Sequence, residues 1–269
     1  MRLLGLDFAD LSAAEAAETI AARPADSAFG YVVTPNADHL VRLSDDPDLA
    51  GIYRDAWLCL LDSRVVAGIA RGFGLMAPRV ATGSEVTELL LNRHIHKGER
   101  ITIIGLRPEW LPTLVARRGL AAPFHYDPPT GFERDPAAFA ATVAFVLAHP
   151  ARLVFLAVGS PRQERLAAAV AATGRATGTG LCIGASLAFV VGAQRRAPAW
   201  MRRCGLEWAH RLSSDPRRMA RRYLVDSPRV VALLARAAVS GRFGIGGVAR
   251  RRRHEGANDG PAGPDHDGG

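Results

Sequence analysis

Residues 153–184 read LVFLAVGSPRQERLAAAVAATGRATGTGLCIG. The uninterrupted apolar run from Leu153 to Val158 stops at Gly159. An alanine-rich stretch over 163–172 follows, with its charges gathered at the start, and a second apolar run occupies 181–184. Strand, helix of about ten residues, strand is a βαβ unit, and strands joined through a helix lie parallel. Runs that are apolar throughout, rather than alternating, belong to a sheet covered on both faces.

The same grammar extends upstream. Helices are expected over 137–148 and 108–118, with a buried strand at 101–105 before them. Further back lie a helix at 85–94 and another at 65–71, the latter closed by Gly72 and Gly74. An apolar run at 57–61 ends at Asp62, and a β-rich run at 31–34 ends in Thr-Pro-Asn ahead of a helix from about Ala37. Asp45-Asp46-Pro47-Asp48 reads as a solvated loop that starts a helix, and a helix over 11–22 has Ser12 as its cap. The expected fold is α/β: a Rossmann-like, mainly parallel sheet with flanking helices over 1–194. From Pro198 onward the pattern is helical and basic, giving a helical appendage over 195–248. The tail 249–269 is Gly, Pro, Asp and His with little aliphatic anchor, the composition of disorder.

The net charge of +8 comes from one place. Residues 195–253 hold 16 Arg and three acids, whereas 1–194 is near neutral at −1 and 254–269 contributes −4. Paired arginines alternate there with Trp200 and Trp208. Arg neutralises phosphate, and Trp favours an apolar–polar boundary, so the expected partner is a phosphorylated molecule at an anionic membrane surface. No spanning helix is expected. The first eleven residues lack the apolar core of a signal peptide. Cys59, Cys182 and Cys204 show no paired spacing, which suits a reducing compartment. The expected location is cytoplasmic, peripheral on the inner face of the cell membrane.

In open parallel sheets ligands bind beyond the carboxyl ends of the strands. Thr34 and Asn36, Asp62, Gly105, and Pro161, Gln163 and Glu164 all fall there. Each has a structural alternative. Asp62 is either a general base in a cleft or the N-cap of the helix that follows, and spacing alone favours the cap. Thr34-Pro35-Asn36 is a turn or a polar contact. Gln163 belongs to a helix start that resembles a capping box with Ser160 and Glu164, and such a start also offers N–H groups to phosphate. Gly72-Phe-Gly-Leu-Met-Ala77 is preceded by no strand and does not make a dinucleotide site, and there is no GxxxxGK[ST] loop. His94 and His96 have no further ligands at suitable spacing, and no DxD-like pair sits at a strand end, so no metal site is expected.

Taken together, TPNADHLVRL (34–43), AWLCLLDSRVV (56–66), RVATGSEV (79–86), VFLAVGSPRQERL (154–166) and LCIGASLAFVVGAQRRAPAWMRRCGLEWAHRLSSDPRRMARRYL (181–224) resemble the WecG/TagA/CpsF glycosyltransferase family, glycosyltransferase family 26. The resemblance implies a GT-E-like α/β domain with a C-terminal membrane-associating helical appendage. It implies inverting, cofactor-free and metal-independent transfer of a hexosyl or N-acetylhexosaminyl group from a UDP-sugar to a polyprenyl-diphosphate-linked saccharide. By motif, Asp62 corresponds to the catalytic aspartate, Thr34 and Asn36 to polar residues beside it, and Arg79 and Gln163 to substrate contacts. The appendage arginines Arg211, Arg218, Arg221 and Arg222 correspond to groups that reach the diphosphate. Three features depart from the family pattern: Asp62-Ser63-Arg64 replaces Asp-Gly, Gly105-Leu106-Arg107 replaces a glycine-rich turn, and Leu187-Ala188-Phe189 replaces a segment bearing an aspartate. They suggest a divergent branch in exopolysaccharide or other cell-envelope polysaccharide assembly.

The competing class is a basic nucleic-acid-binding α/β protein without catalysis. Arg-rich stretches do bind phosphodiester backbones. No helix-turn-helix, stacking sheet or zinc pattern accompanies this one, and the strand-end cluster has no role in that reading, so no nucleic acid is expected as partner. Self-association into a homo-oligomer is left open.

Overall fold

The computed structural model describes residues 1–193, 198, 201 and 227–243. A small antiparallel hairpin, β1 (Arg2–Leu3) and β2 (Leu6–Asp7), leads into α1 (Ala13–Ala22). Ser12 caps α1, and Glu15 completes the capping box by reaching back to the Ser12 N–H at 2.8 Å. Then follow β3 (Gly30–Val33), α2 (Ala37–Asp45), α3 (Pro47–Arg54), β4 (Leu58–Cys59), α4 (Arg64–Gly72) and α5 (Gly83–Leu89). The last of these continues as a wider turn through His94. The second half runs β5 (Thr102–Gly105), α6 (Leu111–Arg118), β6 (Phe124–Tyr126), α7 (Pro136–Ala148), β7 (Leu153–Ala157), α8 (Arg162–Ala172), β8 (Thr179–Cys182) and α9 (Ser186–Val191). A last helix, α10, spans Ser227–Phe243.

Strands β3 to β8 form one six-stranded sheet in the order β4-β3-β8-β7-β5-β6, with every pairing parallel. Side chains alternate across it. Val33, Cys59, Ile104, Val154 and Leu156 feed one core, together with α2, α3, α4, α7 and α8. Val32, Leu58, Ile103, Leu153 and Phe155 feed the other, together with α1, α5, α6 and α9. Each such fully buried apolar side chain contributes about 1.5–3 kcal/mol, and only a sheet covered on both faces can collect from both. The α/β expectation therefore holds, with a mainly parallel sheet between helical layers. Cys59 and Cys182 are buried free thiols within it, and burial pushes the Cys59 thiol up to about 12.

Two strands of the six-stranded sheet differ from the sequence reading. β6 carries only Phe-His-Tyr, half-buried, and no apolar run announces it. β8 begins two residues earlier than its apolar core suggests, because Thr179 pairs with Leu153 and Gly180 with Val154. α10 lies within the range read as an appendage. Its Val230 and Leu234 are buried in the first core, and Arg229 makes a two-pronged contact to Asp45 of α2 at 2.6 and 2.9 Å. Among the described residues no helix is long and apolar enough to cross a membrane.

Candidate active site

Four strand ends meet at the carboxyl edge of the sheet. β3 runs out into Thr34-Pro35-Asn36, and the Asp62 N–H donates to the Pro35 carbonyl at 3.0 Å, tying the end of the β4 segment to the end of β3. The Thr34 hydroxyl lies 3.5 Å from the Cys182 carbonyl at the end of β8. Gly184, just beyond β8, donates its N–H to the Gln163 Oε1 at 2.8 Å, which brings in the loop after β7. Thr34, Asn36, Asp62 and Gln163 are thus drawn toward one edge by backbone geometry.

Asp62 does not cap α4. Ser63 does, its hydroxyl accepting from the Val66 N–H at 3.1 Å. The helix-cap alternative for Asp62 fails for that reason. The Asp62 carboxylate instead turns to α5, where Oδ2 accepts the Gly83 N–H at 3.1 Å. The Gly83 N–H is one of the helix-start donors that have no partner within the helix. Gly83 also lies against Thr34: a Cβ on it would sit 2.9 Å from the Thr34 hydroxyl oxygen. Only a residue without a side chain lets the α5 backbone approach both groups. Thr34, Asp62 and the first turn of α5 therefore form one compact polar cluster.

Asn36 is the N-cap of α2, its Oδ1 accepting from Asp38 and His39 at 3.1 and 3.4 Å. Gln163 is almost fully buried, with 2% exposure, and its Nε2 donates to Glu164 Oε1 at 2.9 Å. The capping box read around Ser160 does not form, because the N-cap of α8 is Pro161, which makes no side-chain cap. Glu164 is buried as deeply, its Oε2 makes no hydrogen bond among the described residues, and burial raises its pKa. The acid form of Glu164 is thereby favoured, and it supports Gln163 without a net charge in the core.

Arg79 stands apart from this cluster. Its backbone N–H and guanidinium bind Asp10, and Nη1 lies 2.7 Å from Glu15. It precedes Val80, which bridges to Leu61 on the outer side of β4. Arg211, Arg218, Arg221 and Arg222, with Trp200 and Trp208, lie outside the described residues.

Sequence reading missed the edge beside β6, because the strand itself was missed. The His125 ring nitrogen Nε2 lies 3.0 and 2.8 Å from the Gly105 and Leu106 carbonyls, positioned to donate to both. Burial raises the pKa of the neighbouring Asp127. The stretch FHYDPP, aromatics ending at an Asp-Pro turn, was the available signal. Among the described residues, no group of three or more His, Cys, Asp and Glu side chains is arranged to hold a metal ion.

A carboxylate fixed at the carboxyl edge of a parallel sheet, beside a hydroxyl and a helix start, is equipped to take a proton from a bound hydroxyl next to an anionic leaving group. The sequence model of the glycosyl transferase WecG/TagA/CpsF family matches residues 1–243. That family acts in cell-envelope polysaccharide synthesis, with a sugar-nucleotide donor and a lipid-linked acceptor. The chain belongs to the WecG/TagA/CpsF family of glycosyltransferases.

Proposed function

We propose that this glycosyltransferase moves a hexosyl or N-acetylhexosaminyl group from a UDP-sugar to a polyprenyl-diphosphate-linked saccharide, with inversion and without a metal, in exopolysaccharide or related envelope polysaccharide assembly. The observation that carries the reading is the convergence of Asp62, Thr34 and the Gly83 N–H at one strand edge. Asp62 takes the proton of the acceptor hydroxyl as that oxygen forms its bond to the anomeric carbon. The bond to the UDP oxygen breaks on the opposite face, and UDP leaves with the electron pair. One carboxylate and one displacement give inversion. Charge developing on the diphosphate is met by arginine side chains and helix-start N–H groups.

In this reading Thr34 and Asn36 shape the pocket around Asp62, and Asn36 does so while capping α2. Gln163 serves by holding the Gly184 turn, since both ends of its amide are engaged. Arg79 meets the substrate from the β4 edge. Arg211, Arg218, Arg221 and Arg222 bring the acceptor diphosphate to the site from the inner face of the membrane. The test is radiolabel transfer from a panel of UDP-sugars to lipid-linked acceptor in a membrane fraction, comparing wild type with Asp62→Asn. Transfer from at least one UDP-sugar, lost in Asp62→Asn while UDP still binds, is the expected result. Undiminished transfer by Asp62→Asn removes Asp62 from the chemistry.

A further inference from the structure

Beyond the outer side of β4 lies a groove that none of Thr34, Asn36, Asp62 or Gln163 lines. Its walls are Ser12 at the start of α1, Arg64, Ala67 and Arg71 on α4, and Arg79 and Val80 of the segment that bridges to Leu61. Positions 64, 67 and 71 share one stripe of a helix, because they are spaced by the helical period. At 1.5 Å per residue, Arg64 and Arg71 stand about 10 Å apart along the axis. Arg64 follows Asp62 closely in the chain, so the groove starts beside the strand-end cluster and runs down the edge of the sheet, away from it.

The groove encloses about 410 Å³, within the range of small-molecule sites. Its polar side chains are three guanidinium groups and one hydroxyl, and among the described residues no carboxylate lines it. Two of these arginines are paired with carboxylates that are not among the lining residues. Asp10 and Glu15 hold Arg79, and Glu85 touches Arg64 at 3.3 Å. Arg71 makes no ion pair with any described residue. Such pairs fix the direction of a guanidinium at little energetic gain when they are this exposed, and leave its other N–H groups for a ligand. Arg71 is the arginine of the three with no carboxylate paired to it among the described residues, and the planar fork of Arg matches phosphate oxygens two at a time.

We propose that this groove is a binding site for a diphosphate group, gripped by Arg71 and Arg64 with Arg79 on the opposite segment. Two molecules in the proposed reaction carry that chemistry, the nucleotide donor and the lipid-linked acceptor. The site itself does not require Asp62 to be the base, so it stands or falls separately from the transfer mechanism. The alternative is a solvated arginine face that holds nothing.

The experiment modifies arginines of the full-length protein with phenylglyoxal and maps the adducts by peptide mass spectrometry, at constant ionic strength. Inorganic pyrophosphate should slow modification of Arg64 and Arg71 several-fold, and chloride should not. Reading these two positions directly keeps the many C-terminal arginines from obscuring the answer. Arg71→Ala should raise the pyrophosphate concentration needed to protect Arg64 by about tenfold, the loss expected for one charge-assisted contact. Asp62→Asn should show wild-type protection. Separate additions of UDP and of a short water-soluble prenyl diphosphate identify the source, according to which protects Arg71. Equal modification of Arg71 with and without saturating pyrophosphate, or equal protection by chloride, overturns the proposal.

Discussion

Ser63 follows Asp62 directly, and its hydroxyl caps α4. Ser63→Ala should therefore cost about 1 kcal/mol of stability, whereas Ser63→Gly should cost only a few tenths, since glycine is also accepted at a cap. Urea unfolding of the two variants reads the difference. With the cap assigned to Ser63, Asp62 is left to face Gly83. Asp62→Asn keeps an oxygen for the Gly83 N–H, so stability should hold while transfer falls on the order of 10²–10⁴-fold. Leu106, next to Gly105 at the end of β5, sits at φ +67. A left-handed leucine costs about 1–2 kcal/mol, but its side chain is buried in the second core, worth about 1.5–3 kcal/mol. Burial outweighs strain, so Leu106→Gly should lower the melting temperature despite relieving the backbone. Glu164 provides a pH-dependent check. Its folded-state pKa is raised by burial, so its stabilising contribution is full below the unfolded value of about 4.3 and is lost as pH rises through the folded value. Glu164→Gln cannot ionise and keeps an oxygen for Gln163. Its stability relative to wild type should rise as pH is raised above about 4.3; a constant difference across that range would show that Glu164 ionises in the fold as readily as in the unfolded chain. Sequence alone placed Asp62, Thr34 and Gln163 at strand ends, but it could not choose between cap and base, because both uses begin with the same residue after the same strand.

At the scale of elements, what the sequence declares depends on how much of each element is buried. β5 and β7 are buried along almost their whole length and stand out as apolar runs. β6 is a half-buried edge strand of three residues, and β1 and β2 have two residues each, too short for any period to show. α1 was legible from its cap and its acid three residues on, because those side chains act locally. α10 was legible as a helix but not as part of the core, since its partners α2 and α4 lie far back in the chain. Its docking gives a ranked prediction. Leu234→Ala should destabilise the fold by about 2–4 kcal/mol, because Leu234 is fully buried. Arg229→Ala should cost under about 1 kcal/mol, since the Arg229–Asp45 pair is half-exposed at 47% and 53%. Denaturant midpoints order the two variants, and a larger effect from Arg229 would mean that charge rather than packing fastens α10.

For the whole molecule, the uneven charge makes its own forecast. Replacing Arg211, Arg218, Arg221 and Arg222 together by Gln should weaken flotation with anionic liposomes at low salt, since each basic residue near such a surface contributes roughly 1 kcal/mol. Undiminished flotation would assign membrane attachment elsewhere. The order of the strands carries a different consequence, one that concerns how the protein is made. β3 and β4 form one flank of the sheet and β5 and β6 the other, and no hydrogen bonds join the flanks directly. β7 and β8, last of the six to leave the ribosome, occupy the middle. During synthesis the first 150 or so residues therefore expose two unfinished strand pairs, each with an open inner edge of the kind that sticks to other chains. Closure waits for residues 179–182, which pair with β3 on one side and β7 on the other. A chain halted at Ala172 should remain protease-sensitive and prone to aggregate, although it carries five of the six strands, because the strand still missing is the one that joins its two halves.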